Sequence, residues 1–577
     1  MADTSTGEHN MRSERQPNCV VSASLLTSAA WWALALAVLF LVWRIRIGVG
    51  TWGDEPYALS TALRYSLGDR PLVDSWDTNF SSAVLALPFV RALLAIRGST
   101  DGILLAYRAV YVVMIVSAAV LSARYLAAVP ENRAGLWIGP LLIVYMPFVG
   151  PGVGYGGDWI LHILSGLIAY RLMQQGRDRS WLYILPGLLS GMAIIGNPPT
   201  VTVIPFFVLC LWLAQRDSRH RHSAQIIARY LAGVLAVGIA FLLVLLLLAG
   251  PSVLSMLQHV VEPDDHSFGL GSQAERAWSA RWLIVCVALV TATLRILAVR
   301  RNRPRGQSRA ALAILMSLAG TGALAVVDRL SVNVLPQSMV FAAGASMLTA
   351  FALERHEPPK GTAVLIAPAI GAALGWFAGS NGGIFTAIIG APLLLAAGVL
   401  WAIDIDRDLT DEVRNLDRSL IALALGVLVL ATGAIGILRT PEGMTLSMRT
   451  AVSEGPFAGI RGTEDEARLQ SELVAALRSL PPAKGRVVFL ERFALGYLIT
   501  LDMPGTYSTW ATSASSDRLQ QYIDATGNRP ARIVLTRYAL DMNDGEFPET
   551  VNIEGFAEDY SLVYADQNLR VFDLRTP

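Results

Sequence analysis

The sequence predicts an α-helical polytopic membrane protein with a C-terminal extracytoplasmic α/β domain. Three observations predict it. Apolar runs of spanning length recur between residues 25 and 438. Only 16% of the 577 residues are charged and 53% are hydrophobic, with a mean hydropathy of +0.47. After residue 439 the chain turns polar, with short β-rich runs. Soluble domains carry about 25% charged residues, and a soluble chain of the present balance would expose large apolar patches. A bilayer supplies the missing solvent.

Residues 1–21, MADTSTGEHNMRSERQPN and a short continuation, are polar and read as a disordered cytoplasmic tail. The apolar run after them has no small-residue cleavage site, so it reads as a retained first span. A span needs about 20 mostly apolar residues. Candidates lie at 25–47, 103–123, 136–150, 157–174, 230–250, 281–298, 309–327, 333–353, 362–378, 383–403 and 418–438. The stretch 181–214 is broken at Pro198–Pro199 and reads as two short spans or a re-entrant hairpin. Both return the chain to the same side. By the length rule that makes about 13 spans.

Segment 80–97 decides the topology. It is apolar enough to span but contains Pro88 and Arg91. Placed as an amphipathic helix on the outer face, with the N-terminus inside, it puts most basic loops in the cytoplasm. These hold Arg124 and Arg133, Arg177 and Arg179, Arg216, Arg219 and Arg221, Arg300 to Arg305, Arg355 and Lys360, and Arg407 and Arg414. Letting 80–97 cross would reverse the pattern. The first outer loop, with Arg44, Arg46, Arg64 and Arg70, is the exception. The expected division is a transmembrane domain over 22–438, with a catalytic outer loop at 48–102, and an outer domain over 439–577. Within the latter, 486–490 and 532–536 read as buried strands. Residues 561–574 read as a hairpin around Asp566–Asn568, and 463–479 as an amphipathic helix.

Three scattered cysteines, Cys19, Cys210 and Cys286, imply neither a disulfide framework nor a cysteine metal site. Lysine occurs only at Lys360 and Lys484, a bias that points to a GC-rich bacterial genome. The expected location is therefore the bacterial cytoplasmic membrane. No nucleic-acid partner is expected.

Candidate chemistry gathers on the outer face. The first loop reads TWGDEPYALSTALRYSLGDRPLVDSWDTN and carries Asp54, Glu55, Asp74 and Asp77. Adjacent carboxylates repel and cost desolvation near lipid. Here they lead into Pro56–Tyr57 and an amphipathic helix rather than a flexible tail. A later crossing exits into GPGVGYGGDW, presenting Tyr155 and Asp158. Asp158 also suits a helix N-terminus, and His162 shares its helix face at i+4. Loop 251–280 holds Glu262, Asp264, Asp265 and His266. Arg276 and Arg329, the rare outer cations, can pair with a phosphate or with these carboxylates. The turn at 379–383 reads as a simple glycine-rich connection.

This layout resembles the C-type (GT-C) integral membrane glycosyltransferase superfamily, and more narrowly its protein O-mannosyltransferase and aminoarabinose transferase type. Asp54–Glu55 just after the first span carries the resemblance, with the Gly68–Asp69–Arg70–Pro71 turn and Arg108 near the start of a span. The Lys–Pro–Pro that follows the acidic loop in that family is replaced by Trp76–Asp77–Thr78–Asn79, which leaves sugar and acceptor unassigned. The resemblance implies transfer of a sugar from a polyprenyl-phosphate-linked donor to an envelope glycan, lipid or protein acceptor beside membrane lipid. It implies Asp54 as general base, Glu55 as its positioning partner and Asp158 as a second carboxylate of the same catalytic cavity. Tyr57, Asp74, Asp77, Tyr155, Arg276 and Arg329 are the candidate substrate-binding residues. No cofactor is required, although several carboxylates could hold a divalent cation. Two other readings stand beside it: a transporter or flippase of lipid-linked sugars, and a non-catalytic envelope scaffold of the same fold. The outer domain is expected to bind or orient acceptor. Tyr507, Trp510 and Tyr522 would either stack on sugars or fill its core.

Overall fold

The computed structural model describes residues 48–50, 55–77, 80–127, 153–175, 177–214, 220–253, 280–300, 305–331, 334–354, 356–359, 361–379, 390–406, 411–440, 443–444, 447–511, 516–536 and 559–575, with isolated positions at 33, 37, 275 and 278. Helix dominates them, with a small sheet region near the C-terminus. Helices α1 (Glu55–Ser66), α2 (Phe80–Arg97), α3 (Ile103–Ala127) and α4 (Val153–Gln175) come first. Next are α5 (Ile184–Gly196), α6 (Val203–Ala214), α7 (His220–Ala249), α8 (Arg281–Arg300) and α9 (Gly306–Val326). The bundle closes with α10 (Leu335–Leu353), α11 (Thr362–Gly379), α12 (Ala391–Ile405) and α13 (Asp411–Leu438).

Among the described residues, seven helices are long and apolar enough to cross a membrane: α2, α3, α7, α8, α9, α10 and α13. The apolar helices α5, α6, α11 and α12 are shorter. The count of about 13 spans is thus not reached among these residues, and the expected spans 25–47 and 136–150 lie outside them. In 181–214 the chain does turn where expected. Asn197 leaves the helical conformation, and Pro198–Thr202 forms a single 3-10 turn.

Small residues set the bundle's closest crossings, as in membranes, where packing rather than hydrophobicity drives association. A Cβ at Gly187 of α5 would stand 2.0 Å from the Tyr230 carbonyl of α7, and one at Gly233 would stand 2.3 Å from the Ile184 carbonyl. Backbone therefore meets backbone there.

One end of the bundle is ionic. Asp406 accepts from the backbone N–H groups of Gly306 (2.5 Å) and Gln307 (2.7 Å), supplying the orphan donors of the first turn of α9. Ser308 donates to Asp417, and Arg309 pairs with Glu354. The connections around 305, 354 and 406 therefore meet at one end. Helix α13 leaves that end and runs 28 residues into the C-terminal region, a rise of roughly 42 Å. The C-terminal region thus sits at the opposite end.

That region holds two short antiparallel pairs, β1 (Arg439–Thr440) with β2 (Gly443–Met444) and β3 (Thr450–Ala451) with β4 (Arg461–Gly462). Helix α14 (Glu464–Ser479) opens with a capping box: Thr463 accepts from the Glu466 amide, and Glu466 reaches back to the Thr463 amide. Strands β5 (Val487–Phe489), β6 (Arg532–Thr536), β7 (Tyr560–Ala565) and β8 (Leu569–Leu574) form one sheet in the order β5-β6-β8-β7. β5 and β6 run parallel; the other pairings are antiparallel. Short helices α15 (Leu495–Thr500) and α16 (Ser516–Thr526) complete it.

The C-terminal region is not a free-standing unit. A continuous core joins Leu59, Leu63 and Tyr65 of α1 and Val84 and Leu87 of α2 to Val474, Phe489, Tyr497 and Val534. Both ends of α2 abut the C-terminal region. Asp77, which accepts the Phe80 amide, meets Ser508; past the other end, Gly102 donates to the Gly455 carbonyl (2.9 Å).

Candidate functional site

The acidic first loop is built into the seam between α1 and the C-terminal region. The amphipathic pattern ALSTALRYSL suggests one wet face, yet every residue from Glu55 to Tyr65 is buried. The C-terminal region covers the polar face and supplies its partners.

The entry to α1 is fixed first. Segment 48–50 lies beside β4: the Arg461 amide donates to the Gly48 carbonyl (2.8 Å), and the Gly50 amide to the Arg461 carbonyl (2.9 Å). Arg108, near the start of α3, donates from Nε to Glu55 Oε1 at 2.9 Å, and also to the Val49 (3.2 Å) and Gly50 (2.8 Å) carbonyls. Both charges are shielded, with Arg108 side-chain exposure of 1% and Glu55 of 2%. One guanidinium thus ties together the loop, the first turn of α1 and α3. Such bidentate, multiply bonded pairs are the geometry in which a buried ion pair holds position.

One turn along, Asp77 accepts from three hydroxyls: Tyr57, Thr61 (3.0 Å) and Ser508 (3.2 Å). Thr509 bridges the hydroxyls of Ser60 (3.0 Å) and Thr61 (2.9 Å). Tyr57 also meets the Trp510 ring, centroids 5.1 Å apart. This cluster brings one carboxylate, five hydroxyl side chains and two aromatic rings, that of Tyr57 counted in both, to one place.

Further along α1, Arg64 donates from Nε to Asp69 (2.6 Å) and from Nη2 to the Tyr522 hydroxyl (2.8 Å) and the Asp74 carbonyl. Arg486 closes on the same Asp69 carboxylate at 2.7 and 2.9 Å. Burial alone would push the Arg64 guanidinium down. Tyr522 and Asp69 beside it outweigh that and hold it above its ordinary value. Asp74 pairs with Arg70 at 2.9 Å. Burial pushes the Asp74 carboxyl up, but hydrogen bonds from the Arg70 side chain and amide hold it below the usual carboxylate range. Arg64 and Arg70 thus carry their counter-ions with them.

Of the candidate residues, Glu55, Tyr57, Asp74 and Asp77 come together along this seam. Arg329 does not join them; it is exposed and lies over the Trp282 ring of α8 at 5.8 Å. Asp54 and Arg276 lie outside the described residues, as do the side chains of Tyr155 and Asp158, whose backbone belongs to α4. So do Glu262, Asp264, Asp265 and His266, and the turn beyond residue 379. His162 is fully buried beside Trp159, and neither ring nitrogen has a hydrogen-bond partner among the described residues. No group of three or more metal-ligating side chains occurs among the described residues. Sequence reasoning missed Thr61, Asp69, Trp76, Arg486, Ser508 and Thr509. Thr61, Asp69 and Trp76 stood in the first-loop segment already under scrutiny; nothing local marks Arg486, Ser508 or Thr509. No family model matches the chain, and no curated protein is similar enough to count as a relative.

Proposed function

We propose that this chain is a membrane glycosyltransferase that moves a sugar from a polyprenyl-phosphate-linked donor to an acceptor on the outer face of the bacterial cytoplasmic membrane. The acceptor would be an envelope glycan, lipid or protein. The observation that carries this reading is the rigid acidic entry to α1. Glu55 is locked by Arg108 and the 48–50 segment, and Asp54 is the residue directly before it. A base that must meet a lipid-borne donor benefits from such a fixed mount.

In the proposed step Asp54 takes the proton of the acceptor hydroxyl as that oxygen attacks the anomeric carbon. The anomeric carbon–oxygen bond breaks, and polyprenyl phosphate leaves with the electron pair. Its charge needs stabilisation by an arginine or a divalent cation; Arg276 is the remaining outer-face candidate, because Arg329 stands over Trp282 away from the seam. Asp158 would be a second carboxylate of the same cavity.

Asp54→Asn tests this in proteoliposomes supplied with a panel of polyprenyl-phosphate sugars. Loss of a positioned base should lower turnover by about 100- to 10,000-fold with unchanged melting. Wild-type turnover in the variant would reject the reading. A second reading, a non-catalytic envelope scaffold, is favoured by the structural partners that Glu55, Asp69, Asp74 and Asp77 already hold. Under it the panel gives no turnover even in the wild type.

A further inference from the structure

At the seam, Arg64, Arg70, Arg108 and Arg486 each meet a carboxylate. Arg281 and Arg329 meet an indole instead. Their guanidinium carbons lie 5.7 Å and 5.8 Å from the centroid of the same Trp282 ring. Arg281 also lies 5.3 Å from the Trp278 ring and donates to the Trp278 carbonyl at 3.0 Å. Neither arginine has a carboxylate partner among the described residues, although Asp328 directly precedes Arg329. An aromatic ring attracts a cation but leaves its charge whole. Two uncompensated positive charges therefore flank one ring.

The backbone explains their meeting. Helix α9 ends in a Schellman turn: the Arg329 amide donates to the Leu324 carbonyl (2.8 Å) and the Asp328 amide to the Ala325 carbonyl (3.2 Å). Asp328 takes the left-handed conformation that this turn requires, at φ 56°. The chain reverses there, and Arg329 reaches the neighbouring α8, whose first residues are Arg281 and Trp282. Both helices are of spanning length, so these residues mark the place where two spans end. That end lies away from the Asp406 contacts at the start of α9. Around the charges the surface is apolar: Val326 is 87% exposed, Trp278 67% and Val327 61%. Indoles favour the headgroup layer of a bilayer. Guanidiniums bond phosphate oxygens in parallel pairs, and basic sites between spans take anionic headgroups.

We propose that Arg281, Trp282 and Arg329 form a phosphate site for an anionic glycerophospholipid of the surrounding bilayer, at the junction of α8 and α9. The two guanidiniums bond the phosphodiester oxygens. Trp278, Val326 and Val327 contact the upper acyl chains. The site stands apart from the α1 seam, and it holds whether or not the chain transfers a sugar. Its effect is to fix the ends of α8 and α9 at headgroup depth.

The test uses the full chain, stripped of lipid in detergent and offered an equal mixture of phosphatidylglycerol and phosphatidylcholine with matched acyl chains. Native mass spectrometry counts the lipid retained. Each arginine beside an anionic headgroup contributes a factor of about five, so the wild type should prefer phosphatidylglycerol by about 25-fold. Arg281→Gln combined with Arg329→Gln should abolish the preference at an unchanged melting temperature. If the double variant does not fold, Arg329→Gln decides, with an expected loss of about five-fold. Arg529→Gln, which removes an exposed arginine of the C-terminal region, should change nothing. No preference in the wild type overturns the proposal, as does full preference in the arginine variants or equal loss in Arg529→Gln. Two competitors identify the source of the phosphate. Displacement of the lipid by millimolar inorganic phosphate would make this a site for free anions. Displacement by polyprenyl phosphate at a small fraction of the phosphatidylglycerol concentration would assign it to a carrier lipid. Either result overturns the proposal; retention of phosphatidylglycerol against both supports it.

Discussion

Trp76 of the first loop stands edge-on to Tyr522 of the C-terminal region, ring centroids 5.4 Å apart at 81°. Its amide donates to the Tyr507 carbonyl at 2.8 Å. Trp76 is therefore a core residue of a region that begins some 360 positions later in the chain, by subtraction from the first strand at Arg439. Trp76→Ala should open a cavity costing about 3–5 kcal/mol. Limited proteolysis should then cut the C-terminal region while the helical bundle persists. A fragment covering 445–577 should melt without a cooperative transition, because it lacks both Trp76 and Asp69. A cooperative fragment would show that the shared core is dispensable.

The Glu55–Arg108 pair predicts a crossed pattern of damage. Glu55→Gln or Arg108→Met alone strands a buried charge, at about 3–5 kcal/mol. The double variant should melt closer to wild type than Glu55→Gln or Arg108→Met alone. Additive losses in thermal melting would mean that the two charges are not coupled as the 2.9 Å contact implies.

Asp69 and Asp74 should differ sharply. Asp69 is shielded and faces two guanidiniums, so Asp69→Asn should cost about 3–5 kcal/mol. The Arg70–Asp74 pair is outward, with Arg70 51% exposed, and such pairs contribute about 0–1 kcal/mol. The Asp74 carboxyl is held below its ordinary value. Its contribution is therefore present above the unfolded carboxyl value of about 4 and is lost as pH falls through the lower folded value. Melting of Arg70→Gln should match wild type at pH 7 within about 1 kcal/mol.

Gly187→Ala should be severe, since its Cβ would meet the Tyr230 carbonyl at 2.0 Å, whereas a Cβ at Gly238 of the same helix pair meets nothing within 4 Å. Overpacking costs about 1–3 kcal/mol or more, so Gly187→Ala should lose melting stability in detergent while Gly238→Ala should not. Equal melting would mean that α5 and α7 separate freely.

The proposed orientation has its own check. In a cysteine-free background, Asp465→Cys and Glu357→Cys occupy exposed positions at opposite ends of the bundle. An impermeant maleimide applied to whole cells should label position 465 and spare 357. The reverse labelling would invert the topology and remove the outer-face site.

Local pattern carried much of the fold. The strand at 532–536, the hairpin at 561–574 and the helix after Thr463 follow from β-branched runs, a turn at Asp566–Asn568 and the helical spacing of Leu469, Leu473, Val474 and Leu477. Helix α1 was visible too, but its surroundings were not. Ser60, Thr61 and Arg64 look like a solvated face because the groups that satisfy them, Thr509, Tyr522 and the Arg486-bound Asp69, are set by tertiary docking. Among the described residues the apolar helices α5, α6, α11 and α12 are short, with the Pro198–Thr202 turn dividing α5 from α6.

The Asp69–Arg486 contact joins positions 417 residues apart. A ribosome adding roughly 5–20 residues per second needs ~20–80 s to cover that interval. Throughout it, the nascent α1 carries Arg64, Ser60 and Thr61 without the C-terminal chain that will cover them. Assembly of this protein is consequently a problem of waiting. Whatever shelters α1 during translation, whether headgroups, the insertion machinery or a chaperone, governs the yield of finished molecules as surely as any contact in the final structure.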